Sequence, residues 1–128
     1  MRSTPKSNRA CSQEGAVLTK ATIRAADRLD VSQKVLASII GISEPVVSRM
    51  RHGPFTLEPN NGKAFELAAL FVRLYLSLDS LVSGDEAVAK AWLKNESTAL
   101  QCRPLDLIQK VHGLVDVIHY LDARRALD

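Results

Sequence analysis

The sequence predicts an all-α protein, with an N-terminal helix-turn-helix unit followed by a second helical domain. Three observations carry this. The stretch Gln33–Met50, QKVLASIIGISEPVVSRM, holds two short apolar-periodic runs around a glycine. The stretch 63–81 repeats apolar residues at helical spacing over its whole length. Serine, proline and glycine stand where helices of these lengths should start and stop. The chain has 128 residues, enough for one ordinary domain or two very small ones. Apolar residues make up 46% and aromatics only 5%, so the core must be aliphatic.

Residues 1–12 are rich in Ser, Thr, Pro, Asn and basic side chains and poor in apolar ones. Such a stretch cannot offset its ordering entropy, so a mobile arm is expected, with Arg2, Lys6 and Arg9 able to reach along a DNA backbone or simply solvated. Residues 13–53 form the first domain. A helix is expected over Glu14–Leu29, where Val17, Leu18, Ala21, Ala25 and Leu29 share a stripe and Thr22, Arg24 and Arg28 lie partly on open faces. Ser32 is the candidate N-cap of a second helix ending near Ile40. Ala37 allows a close helix crossing, Gly41 a left-handed exit, and Ile42 a plug into the core. Ser43 and Pro45 open a third helix, in which Val47 and Met50 face inward and Ser48, Arg49 and His52 outward. His52-Gly53-Pro54 closes the unit.

Residues 54–62, PFTLEPNNG, read as a linker, with Phe55 and Leu57 packing on a neighbouring surface. Residues 63–128 form the second domain. Its first helix, 63–81, carries Ala64, Leu67, Ala68, Phe71, Leu74, Tyr75 and Leu78, widened by Leu70, Leu76 and Leu81. That girth suits a domain centre, a dimer interface, or both. Ser83 and Glu86 read as a capping box for a helix over Asp85–Lys94. Trp92 on that helix reads as a core anchor, with a partner contact as the alternative. Residues 95–101 are polar and loop-like. Pro104 starts a helix carrying Leu105, Ile108 and Val111, which Gly113 ends. The last helix turns Leu114, Val117, Ile118 and Leu121 to the core and closes in Ala123-Arg124-Arg125-Ala126-Leu127-Asp128.

Charge and cysteine usage narrow the function. Residues 1–53 hold nine Lys/Arg against four Asp/Glu, and residues 54–128 eight against ten, so the basic half contains the helix-turn-helix. Phosphate contact requires that placement. Ser43–His52 is expected in a DNA major groove, with Ser43, Glu44, Ser48, Arg49 and His52 near bases or phosphates and Gln33 and Lys34 near phosphates. One such unit reads few base pairs, so a homodimer on a palindrome is expected. Cys11 and Cys102 are isolated and suit reduced thiols in the cytoplasm. There is no signal-peptide pattern and no apolar run long enough for a membrane. No nucleophile–base pair, phosphate loop or metal spacing stands out, so neither enzyme activity, cofactor nor metal is expected. His112 and His119 are seven apart, but Gly113 between them reads as a break.

The order of Trp92-Leu93, Pro104-Leu105-Asp106 and the close Val115-Asp116-Val117-Ile118-His119-Tyr120-Leu121-Asp122-Ala123-Arg124 resembles the C-terminal domain of the Xre/MbcA/ParS antitoxin family. With the helix-turn-helix, the resemblance runs from about Val17 to Arg125. Gln101, Cys102 and Arg103 stand where the family has a Gly-rich approach and a serine, and Ile118 and His119 where it commonly has paired arginines. The resemblance implies the antitoxin of a type II toxin–antitoxin pair. Its partner would be a RES-domain, NAD-degrading toxin, and the antitoxin would repress their shared operon at operator DNA. The residue set it implies for toxin binding is Trp92, Arg103, Pro104, Arg124, Arg125, Leu127 and Asp128. Asp128 and the terminal carboxylate would compete for the donors of a pyrophosphate-binding cleft, and Leu127 would act as an apolar wedge. Arg124 and Arg125 would pair with acidic groups at the cleft rim, and Arg103 and Pro104 would meet the toxin's outer surface. Two rivals remain: a stand-alone regulator with a ligand-sensing second domain, which requires an enclosed apolar pocket, and an NAD-handling enzyme, which requires polar catalytic residues in a cleft.

Overall fold

The structure, a computed structural model, describes the backbone of residues 5–127 and their side chains apart from residues 5–12 and Asn61. The side chains of Arg2, Lys6, Arg9 and Asp128 lie outside the described residues. Among the described residues seven α-helices follow one another: α1 (Pro5–Arg28), α2 (Gln33–Ile40), α3 (Glu44–His52), α4 (Lys63–Leu81), α5 (Glu86–Lys94), α6 (Pro104–Leu107) and α7 (Val111–Leu127). A 3-10 turn, Pro59–Asn61, precedes α4. Among the described residues there is no strand, only an isolated bridge between Ser97 and Cys102.

The ends of α2 and α3 are set by the residues the sequence singles out. The Ser32 hydroxyl accepts the Val35 amide at 3.2 Å, satisfying one free N–H of the first turn. At the other end the Gly41 and Ile42 amides both donate to the Ala37 carbonyl, at 2.9 and 3.1 Å. Gly41 adopts φ +75°, the left-handed conformation this exit needs. Ser43 has the extended backbone of an N-cap but no side-chain cap bond, and Pro45 occupies the first turn of α3. Leu36, Ile39 and Ile40 of α2 and Val47 and Met50 of α3 are buried between the helices.

α4 is the axis of the molecule. It packs against α1 and α2 on one side and α7 on the other, and also touches α5. Leu67, Ala68, Phe71, Leu74 and Leu78 are buried along it. Burying each such leucine or phenylalanine contributes about 1.5–3 kcal/mol. The stretch 54–62 joins the same core: Leu57 is fully buried, and its amide donates to the Thr19 hydroxyl at 2.8 Å. That hydroxyl in turn donates to the Gly15 carbonyl at 2.7 Å. Gly15 is required there, because a Cβ would stand 2.0 Å from the Leu57 carbonyl oxygen.

Several expectations are corrected. α1 begins at Pro5, not near Glu14, so the backbone of 5–12 continues the helix; proline fits a first turn and nothing up to Glu14 breaks it. Val17 is 68% exposed and Thr22 is fully buried, the reverse of the expected faces. Thr22 is accommodated because its hydroxyl bonds back to the Leu18 carbonyl. The Ser83–Glu86 capping box does not form. Ser83 has φ +54°, Asp85 caps α5 through the Val88 amide, and Glu86 pairs with Arg28 instead. Gly113 does not end a helix but lies in the first turn of α7, and Val111, expected on the Pro104 helix beside Leu105 and Ile108, instead begins α7 and is exposed. A Cβ at Gly113 would come 2.1 Å from the Leu107 carbonyl, so the glycine lets α6 close down on α7.

Candidate functional site

Two surfaces gather the residues singled out from the sequence. On the helix-turn-helix, Ser43, Glu44, Arg49 and His52 are exposed along α3 and Ser48 is half-buried. Gln33 and Lys34 occupy the first turn of α2, with Lys34 exposed. Arg49 and Lys34 have no ion-pair partner among the described residues. Arg51 does: its guanidinium meets the Asp27 carboxylate at 2.9 Å and ties α3 to α1. The arrangement gives one helix with an outward polar face and a second whose N-terminal turn presents an exposed lysine. A duplex groove and its bordering phosphates require those two features.

The second surface is built on α5, α6 and α7. Trp92 is half-buried and stacks on Tyr120, with ring centroids 6.2 Å apart and planes 11° from parallel. Arg124 reaches the Tyr120 hydroxyl at 3.4 Å, so Trp92, Tyr120 and Arg124 form a line across α5 and α7. Arg103 holds the Asp106 carboxylate with two bonds, of 3.0 and 2.8 Å, which pulls the Asp106 carboxyl below its usual range. Pro104 is buried at the start of α6 and presents little surface. Leu127 is 82% exposed, the most exposed of the large apolar residues among the described ones.

Arg125 is not free. It donates to the Ser77 hydroxyl at 3.3 Å and lies 3.7 Å from Asp122. Ser77 donates to Asp122 at 3.0 Å, and Arg73 reaches the same carboxylate. The Ser77 hydrogen bond, then Arg73 and Arg125, hold the Asp122 carboxyl below its ordinary range against partial desolvation. These four groups line an open groove of about 620 Å³ between α4 and α7. The sequence reading missed Ser77 and Asp122. Ser77 sits at the edge of the apolar stripe of α4, one turn from Arg73 and Ser80, where a serine carries no signal.

Among the described residues no group of His, Cys, Asp and Glu could hold a metal ion. No helix among them is long and apolar enough to cross a membrane. What the geometry defines is a helix-turn-helix protein with a second helical part built on α4 to α7. Residues 12–73 match the family model of the antitoxin Xre-like helix-turn-helix domain, and residues 77–126 match that of the antitoxin Xre/MbcA/ParS C-terminal toxin-binding domain. The chain therefore belongs to the Xre/MbcA/ParS antitoxin family. It is an antitoxin with a toxin-binding domain, and neither matched family is enzymatic. The two family models meet inside α4, whereas the composition of the sequence suggests a division at 54–62. No curated protein matches the chain.

Proposed function

We propose that this antitoxin neutralises a RES-type, NAD-degrading toxin with the end of α7 and represses its own operon as a homodimer on palindromic operator DNA in the cytoplasm. The observation that carries the first part is the contrast along the last turns of α7. Asp122 and Arg125 are fastened to α4, while Leu127 just beyond them is almost fully exposed. A fastened helix can present a short tail to a cleft without paying its ordering entropy on binding. Asp128 follows Leu127 and adds negative charge, which suits a cleft that binds pyrophosphate. Trp92, Tyr120 and Arg124 supply a neighbouring contact, and Arg103 a more peripheral one, with the buried Pro104 fixing the start of α6 beside it.

The second part rests on Lys34, Ser48, Arg49 and His52 on the helix-turn-helix and on Leu76, which is 58% exposed on α4 beside the half-buried Val72 and Tyr75. An apolar strip on the central helix suits contact with a second copy. The groove between α4 and α7 is open and lined partly by the Arg73–Asp122 and Arg125–Asp122 ion pairs, which does not favour ligand sensing.

The test is co-expression with the product of the adjacent reading frame. The proposal expects that product alone to deplete cellular NAD, the pair to co-purify, and NAD to be preserved. A neighbouring toxin that leaves NAD intact would contradict the RES assignment. Light scattering of the free antitoxin at micromolar concentration tests the dimer; a strict monomer would refute it.

A further inference from the structure

The α1 face between the helix-turn-helix and the rest of the molecule carries a row of positive charge that the recognition helix alone does not account for. Lys20, Arg24 and Arg28 follow one another at four-residue spacing and are all exposed. With Ile23 and Asp27 they form one bank of a groove of about 450 Å³ whose other bank is Met50 and Arg51 of α3. Like charges at that spacing repel and destabilise a helix that has no counter-charge. The counter-charges present are already engaged: Asp27 holds Arg51 at 2.9 Å and Glu86 holds Arg28 at 3.0 Å. Lys20 and Arg24 have no ion-pair partner among the described residues.

Arg51 sits three positions after Ser48, so it borders the outward face of α3. A phosphodiester strand flanking the groove that α3 enters would pass along this border. Resting on the DNA-binding reading above, we propose that Lys20 and Arg24 form a second, sequence-independent phosphate-binding track, which takes the duplex backbone on the α1 side of α3. Lys34, at the start of α2, would serve the other strand. The track would add affinity and fix the docking angle, and would read no bases.

The experiment titrates the full-length protein onto its own promoter duplex and onto a random duplex of equal length, across a salt series. Wild type is compared with Lys20→Ala, Arg24→Ala and the double variant. Each lost phosphate contact should make the slope of log K against log salt shallower by about 0.9 per bound protomer. The loss should be equal on both duplexes, leaving their affinity ratio unchanged. Arg24→Lys should keep the wild-type slope, and toxin co-purification should persist in every variant as the check on folding. Wild-type binding with unchanged slopes in the variants would overturn the track and leave the helix-turn-helix reading intact. A collapse of the promoter-to-random ratio would make these residues base readers and overturn it too. Variants that keep the slope but lose the toxin would show the row to be a docking surface for an acidic protein instead. A wild type that binds neither duplex would sink the DNA reading itself and the track with it.

Discussion

Ser77, 2% exposed at the edge of the apolar face of α4, donates its hydroxyl to the Asp122 carboxylate of α7 at 3.0 Å. Because Ser77 also accepts from Arg125, both hydrogen-bonding roles of its hydroxyl are used in one place. This cluster fixes the last turns of α7 on the central helix. The position of Leu127 therefore depends on a serine fifty residues earlier in the chain.

That cluster should make stability sensitive to acid. The folded-state carboxyl of Asp122 titrates below its unfolded value, so its contribution is complete above the unfolded pKa. It is lost as pH falls through the lower, folded value. Asp30, held by Lys94, and Asp106, held by Arg103, act in the same direction. The unfolding temperature should therefore fall as pH drops below the ordinary aspartate range, about 4, and Asp122→Asn should flatten part of that fall. An equal fall in wild type and variant would show that Asp122 is not linked to folding.

Gly113→Ala should destabilise the protein by about 1–3 kcal/mol or more, because the added Cβ meets backbone that cannot rotate away. The Leu107 carbonyl stands 2.1 Å from that position. Helix propensity alone predicts the opposite sign, a gain of about 1 kcal/mol. Denaturant midpoints of the two proteins decide between them.

Leu57→Ala should cost about 2–5 kcal/mol, the range for a truncated core leucine. Leu57 is fully buried although it lies in a stretch that reads as a linker. A single cooperative transition, shifted to lower denaturant, is the expected curve. A shift no larger than that of an exposed alanine substitution would mean that 54–62 carries no structural role.

Arg49→Ala should weaken operator binding by roughly 1–3 kcal/mol if the side chain reads a base. Arg49 is exposed on α3 and has no ion-pair partner among the described residues, so the substitution removes nothing the fold needs. A gel-shift titration at fixed salt with unchanged affinity would take Arg49 out of the interface.

The helical elements were legible where apolar spacing and end signals agreed. Gln33–Ile40 with its Ser32 cap, the Gly41 exit and Lys63–Leu81 all emerge from the sequence with their observed limits. Leu114, Val117, Ile118 and Leu121 are likewise buried as read. What failed depends on contacts between distant segments. Ser83 and Asp85 are both plausible caps, and only the turn geometry after α4 selects Asp85. Gly113 resembles a stop signal because its partner, the Leu107 carbonyl, is placed by the fold and not by local sequence. Val17 and Thr22 exchange faces because Thr22 hides its hydroxyl within α1. Of the proposed toxin contacts, the sequence could name Arg103 and Arg125 but not their engagement by Asp106, Ser77 and Asp122.

The central claim is that the end of α7 silences the toxin, and removing Arg124–Asp128 tests it most directly. Cells expressing the toxin would carry either the full antitoxin or the truncated one, and NAD would be measured in both. Leu127→Asp serves as a milder variant, since Leu127 is 82% exposed. The account predicts that both variants still bind operator DNA, as evidence of folding, while NAD falls to the level seen with toxin alone. Full protection of NAD by the truncated protein would contradict it and move the blocking surface to Trp92, Tyr120 and Arg103.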